Sequence, residues 1–179
     1  MPKNNKDEVI VCEKKILSKL KANAIRSDHN LAKEMGYSRQ KIWRIKKQLK
    51  ENKTIWGYTV ITDEKKQGLI QFFLLIKRSS KMIDERKADG FLSEGFSDIN
   101  KKNNIEIETI ISTYGQYDWI IVINAKDIMS ARNFLSDIQT KFNEFIDDIC
   151  MIESVNAIKK QGIYNPCLNE NKMLLRNIL

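Results

Sequence analysis

One histidine and three cysteines in 179 residues leave little material for metal, disulfide or nucleophile chemistry. Cys12, Cys150 and Cys167 are odd in number, far apart and without the paired spacings of a zinc site. They read as reduced thiols of a cytoplasmic protein. His29 stands alone, and no Ser/His/Asp, Cys/His or paired-carboxylate set with a clear general base can be assembled. The chain is therefore expected to be no enzyme, with no catalytic residues, metal or cofactor. Long apolar runs are missing too: none approaches a bilayer span, which argues against a membrane partner. The opening MPKNNKDEV has charges but no apolar stretch of the secretory kind.

What is present is an uneven charge. Up to Gly68 there are 17 Lys and Arg against 8 Asp and Glu, a net of +9; beyond it there are 14 against 15, a net of −1. A basic half joined to a neutral half points to a polyanion-binding module attached to something with another task.

Within the basic half, Val9, Cys12, Ile16, Leu17 and Leu20 recur at helical spacing, which predicts an amphipathic helix from about Asp7 to Leu20. Asp28 is expected to cap a short second helix that turns Leu31, Ala32 and Met35 inward and ends at a left-handed Gly36. Ser38 then caps a third helix. Seven Lys or Arg fall within Arg39 to Lys53 against one acid, Glu51. At 100° per residue, Ile42, Ile45 and Leu49 lie within about 60° of one another and form a narrow buried stripe. Arg39, Gln40, Trp43, Arg44 and Lys47 take the opposite side, with Lys41 and Lys46 flanking the stripe. A capped end carrying long donor side chains is what a recognition helix needs in a major groove. Thr54 to Thr62 (TIWGYTVIT) is β-branched and aromatic and reads as a strand or short wing, completing a winged helix-turn-helix. A basic helical face is often only solvated; the confinement of charge to this one unit favours DNA.

In the neutral half, IQFFLLI (70–76) and WIIVI (119–123) are short, nearly continuous apolar runs, strands that bury both faces. Ile105 to Ser112 alternates early and turns through YGQYD into Trp119, a hairpin. A fourth strand is expected over Ile149 to Ile158. Asp127 caps a helix with Ile128, Ala131, Leu135, Ile138, Phe142 and Phe145 in register over five turns. Phe91, Leu92, Phe96 and Ile99 suggest a shorter one. The order βαββαβ makes an antiparallel sheet with both helices on one face. Its other face would lie bare and apolar, which argues for a homodimer. The fold class is thus α+β: residues 1–62 a winged helix-turn-helix, 63–69 a linker, 70–164 a ferredoxin-like βαββαβ domain, and 165–179 a tail readable as a docking helix through Leu168, Leu175 and Ile178.

From Val9 to Tyr164 the chain resembles the Lrp/AsnC, or feast/famine, transcriptional regulators. The residues that carry the likeness are KILSKLKANAIRSDHNLAKEMGYS, LKENKTIWGYTVI with Gly57-Tyr58, and TYGQYDWIIVI, whose Gly115, Tyr117 and Asp118 match the family's Gly-x-Tyr/Phe-Asp turn. The chain departs from the family at Ile45-Lys46, in the longer 79–104 crossover and in the tail. The resemblance implies a cytoplasmic, DNA-binding dimer held through its C-terminal sheets, assembled in some members into tetramers or octamers. The third helix and its cap would supply the DNA contacts: Ser38, Arg39, Gln40, Lys41, Trp43, Arg44, Lys46 and Lys47. The resemblance also implies a small-molecule effector, commonly an amino acid, at Tyr114, Gly115, Gln116, Tyr117 and Asp118. There Asp118 would accept from an ammonium, and Gly115 would let a carboxylate reach backbone N–H groups. The plainer alternative makes YGQYD a tight turn with Asp118 bonded to backbone.

Two rivals share parts of this plan. Siroheme decarboxylases resemble the two-domain arrangement but would present histidines and basic residues in the C-terminal half, which here holds no histidine and a net charge of −1. RNA-recognition modules share the βαββαβ order and stack bases on sheet aromatics, for which Phe72, Phe73 and Trp119 would be the candidates. WIIVI is apolar throughout and suits burial better.

Overall fold

The computed structural model describes residues 3–80 and 97–168. The chain divides into two compact units, Met1–Ile61 together with the chain from Ile158 onward, and Thr62–Ala157. The sequence expectation instead kept residues 158–164 with the sheet.

In the first unit, α1 spans Lys3–Ala22, α2 Asp28–Met35 and α3 Arg39–Glu51. Cys12, Ile16 and Leu20 of α1, Leu31 and Ala32 of α2, and Ile42, Ile45 and Leu49 of α3 bury one another, with Leu17, Met35, Tyr37 and Ile55 packed against them. Val9 is exposed, against expectation. The 20-residue α1 is longer than its 8- and 13-residue partners, and among its described side chains Glu8 to Val11 are exposed and burial begins at Cys12. Gly36 has φ 66° and ends α2 through its N–H on the Ala32 carbonyl, a left-handed position that glycine fills without Cβ strain. Ser38 is extended, and its Oγ accepts from the Lys41 N–H.

Two local expectations are corrected. The cap of α2 is Ser27, not Asp28: Ser27 keeps the extended backbone that a cap requires and its Oγ accepts from the Asn30 N–H, while Asp28 is already helical. Thr54 to Thr62 forms no strand; it is an arm outside both sheets of the described chain, so the wing is not a β-wing. Its composition favours extension, but a ladder needs a second row of N–H and C=O groups. A short 3-10 turn, Lys65–Gln67, follows it.

The second unit has β1 (Ile70–Arg78), α4 (Ser97–Asn103), β2 (Glu106–Ser112), β3 (Trp119–Ala125), α5 (Ile128–Lys141) and β4 (Ile146–Glu153). The sheet order is β2-β3-β1-β4, every neighbour antiparallel. Phe72, Leu74 and Ile76 of β1 and Ile121, Ile123 and Ala125 of β3 share one core with Ile99 of α4 and Ala131, Phe134 and Ile138 of α5. Both described helices therefore cover one face. Residues one step out of register point the other way: Phe73 and Leu75 lie beside Val122 and Ile120, with Ile111 on β2 and Cys150 and Ile152 on β4. This second face carries no helix in the described chain.

Here too there are corrections. α5 ends at Lys141 with Phe142 as its cap, a turn before the expected end, and the Phe145 N–H donates to the Phe142 carbonyl in the turn beyond. Strand four accordingly begins at Ile146 and stops at Glu153 rather than covering Ile149 to Ile158. Phe142 and Phe145 pack on the core from turn and helix end alike, so their spacing alone could not separate the two. Beyond the sheet, Lys159–Lys160 pairs with Ile163–Tyr164 as the two-stranded ribbon β5–β6. Of the residues expected in the shorter helix, Ile99 is buried in α4, and Phe91, Leu92 and Phe96 lie outside the described residues, as do Leu175 and Ile178 of the tail.

Candidate DNA-binding surface and hairpin turn

The exposed side of α3 is built by the residues its buried stripe leaves over. Arg39, Gln40, Trp43, Arg44 and Lys47 are all exposed, Trp43 at 56%. Ser38 stands at the N-terminal end, where its hydroxyl is committed to the cap. The cations differ in how they are held. Lys41 is half-buried with its ammonium 4.1 Å from the centre of the Tyr37 ring. Lys47 lies 5.4 Å from the Trp43 ring and 3.7 Å from Glu51. These are the modest attractions of exposed cation–π and helical ion pairs, easily exchanged for a phosphate. Lys46 is different: its Nζ is 2.7 Å from Oδ1 of Asp28, and both side chains are about four-fifths enclosed.

Sequence reading missed several of these supports. Asp28 is one, since its partner is 18 residues away and nothing in the linear pattern joins them. Lys50, 5.0 Å from the Tyr58 ring, is another. The contact of Tyr37 with Lys41 spans only four residues across the Ser38 cap, but Tyr37 precedes α3, so helical spacing does not announce it. Behind the surface, Glu34 accepts from both Lys19 and Arg26, tying α2 to α1 and to the loop between them. The Lys19 hydrogen bond, with Arg26, holds the Glu34 carboxyl below its ordinary value. Cys12 Sγ and the Tyr37 hydroxyl are hydrogen-bonded at 2.9 Å, and this bond to the neutral phenol, with desolvation, raises Tyr37 above its ordinary value.

The YGQYD turn brings its five residues together, but their roles divide. Tyr114, Gly115 and Gln116 are exposed; Tyr117 and Asp118 are half-buried. The Asp118 N–H donates to the Ile76 carbonyl at 2.9 Å, and Asp118 Oδ2 accepts from the Arg78 N–H at 2.8 Å. The carboxylate thus closes the end of β1. Thr113 closes the hairpin itself, its N–H on the Asp118 carbonyl at 2.8 Å and its Oγ1 on the Tyr117 carbonyl at 2.7 Å.

The rivals find little here. Phe72 and Trp119 pack into the core under the helices, leaving Phe73 alone of the three aromatics on the opposite face. His29 is exposed on α2. Cys12, Cys150 and Cys167 are free thiols, and among the described residues no three His, Cys, Asp or Glu are grouped to hold a metal. No described helix is long and apolar enough to cross a membrane.

A helix-turn-helix with a cationic third helix, joined in one chain to a βαββαβ sheet, is the architecture of a DNA-binding regulator. The transcriptional regulator AzlB of Bacillus subtilis (strain 168) is 33% identical over 126 residues, which cover 70% of this chain and 75% of that protein. Among solved structures, an AsnC family transcriptional regulator from Agrobacterium tumefaciens aligns with TM-score 0.61 at 21% identity, covering 88% of this chain and 96% of its own. A transcriptional regulator from Neisseria meningitidis, solved as its L-Met complex, aligns with TM-score 0.63 at 18% identity, again covering 88% and 96%. No family model matches the chain. The chain belongs to the Lrp/AsnC family of transcriptional regulators. It is a DNA-binding regulator, and the decarboxylase reading has no support among these relatives.

Proposed function

We propose that α3 is the reading element, that two copies of the chain join through the sheet faces that no described helix covers, and that the dimer presents two α3 helices to successive major grooves. Arg39, Gln40 and Arg44, on the first turns behind the Ser38 cap, lie nearest base edges, with Trp43 among them; Lys41 and Lys47 lie nearer phosphates. The observation that carries this reading is the division of α3 into a buried stripe of Ile42, Ile45 and Leu49 and an exposed cationic side. Phe73, Leu75, Ile120, Val122, Ile111 and Ile152 support the dimer, because one sheet face holds them all without a covering helix in the described chain. Binding-site selection from random duplexes at controlled salt is expected to yield a dyad with fixed half-site spacing. Selection that enriches no sequence would sink the reading.

An amino-acid effector at the hairpin turn belongs to the same proposal, supported by the L-Met complex of the Neisseria relative and by the exposure of Tyr114, Gly115 and Gln116. Asp118 supports the turn from behind, through its bond to the Arg78 N–H. A thermal-shift screen of the amino acids should find one that stabilises the wild type and not Tyr114→Ala or Gln116→Ala. If no amino acid shifts the wild type, the second unit is left as a dimerisation module.

A further inference from the structure

Among the described ion pairs, that of Lys46 and Asp28 is the most enclosed, with side chains 21% and 22% exposed, and it is the one that joins α3 to α2. The other lysines of α3, Lys41, Lys47 and Lys50, rest on aromatic rings, and Lys47 also on an acid of the same helix. Asp28 is the first residue of α2, at the helix end whose dipole favours an acid. In helix-turn-helix docking, the helix before the reading helix crosses the DNA backbone. A carboxylate there would repel phosphate unless a cation met it.

We propose that Asp28 is the internal counter-ion of Lys46: the pair holds α3 in position against α2 and withholds one cation from the phosphate backbone. The inference rests on α3 being the DNA-reading element. Its physical basis is the cost of exchange. For Lys46 to reach a phosphate, its bond to Asp28 must break, and a largely enclosed carboxylate is left facing the polyanion without a partner. Lys41 and Lys47 pay no such penalty. Lys46 is therefore a positioning residue, and sequence choice depends more heavily on Arg39, Gln40 and Arg44 than the count of lysines suggests.

The salt dependence of binding separates this role from a phosphate contact, because each phosphate neutralised adds about 0.9 to the slope of log K against log salt. The probe is a random-sequence duplex titrated with the full chain between about 50 and 200 mM salt. Asp28→Asn releases Lys46, so binding at low salt tightens and the slope steepens by about one, an extra loss of roughly three- to fourfold across that range. Lys46→Met leaves the slope where the wild type has it. Circular dichroism shows which variants fold, and if Asp28→Asn does not, Lys46→Met decides alone. A slope flattened by about one in Lys46→Met would make Lys46 a phosphate contact and overturn the proposal, as would an unchanged slope in folded Asp28→Asn. A wild type whose binding shows no salt dependence would remove the DNA-reading assignment of α3 itself and the inference with it.

Discussion

Arg39 and Lys47 share the exposed side of α3, yet their positions assign them different parts. Arg39 opens the helix next to the Ser38 cap, where a side chain can meet base edges; Lys47 is two turns on, between the Trp43 ring and Glu51. Arg39→Ala should weaken binding to the selected site by roughly 1–3 kcal/mol and relax the choice of base there. Lys47→Ala should weaken all duplexes alike and flatten the salt slope by about one. Fluorescence anisotropy on selected and random duplexes distinguishes the two, and equal losses on both duplexes for Arg39→Ala would contradict the division. At this scale, legibility followed the range of the interaction. Ser38 could be read from the sequence because its Oγ meets an N–H only three residues away. Asp28 was read as a cap because Ser27 and Asp28 are both capping types, and one residue of offset decides which stays extended. Phe134 was passed over although it is fully buried. Its signal was available in the 131–134–138 spacing, but the neighbouring 128–131–135 row is equally apolar, and it ends on Ile128, which is exposed.

Among the elements, those with a complete local code were the clearest. α3 combines a cap, a narrow stripe and a cationic side, and it spans Arg39–Glu51. The β2–β3 hairpin is announced by its turn, and the β1–β3 pairing runs in register from Ile70 and Ala125 to Ile76 and Trp119. The arm over residues 54–62 shows the opposite case. Trp56 is 96% exposed and Val60 78%, so the residues that suggested a strand have no ladder among the described residues. Extended propensity is a property of the segment; a strand is a property of two segments. The boundary of β4 failed for a related reason. Ser154 donates its N–H to the Gln71 carbonyl and the chain then leaves the sheet, a point set by where the antiparallel partner β1 begins rather than by the apolar residues that follow, Val155 and Ile158.

For the whole molecule, the sheet face that no described helix covers is the feature with the largest consequence. Leu75 is half-buried there, flanked in register by Ile120 and Cys150 and outside the core beneath the helices. Leu75→Glu would place a charge where a second copy must pack, at a cost of several kcal/mol in an interface without a partner for it. Analytical ultracentrifugation should find a folded monomer that no longer selects a dyad. A Leu75→Glu chain that stays dimeric would show that the copies join elsewhere. The split of charge at Gly68, the order of helices and strands, the alternation of buried and exposed sides on α3 and the family were all determined by the sequence, because each depends on residue type and spacing along one segment. The tertiary structure decided the rest: the Asp28–Lys46 pair, the Glu34 clasp on Lys19 and Arg26, and the commitment of Asp118 to Arg78. These contacts join residues 8 to 40 positions apart, and spacing along the chain carries no record of which distant carboxylate a given cation or backbone N–H will meet.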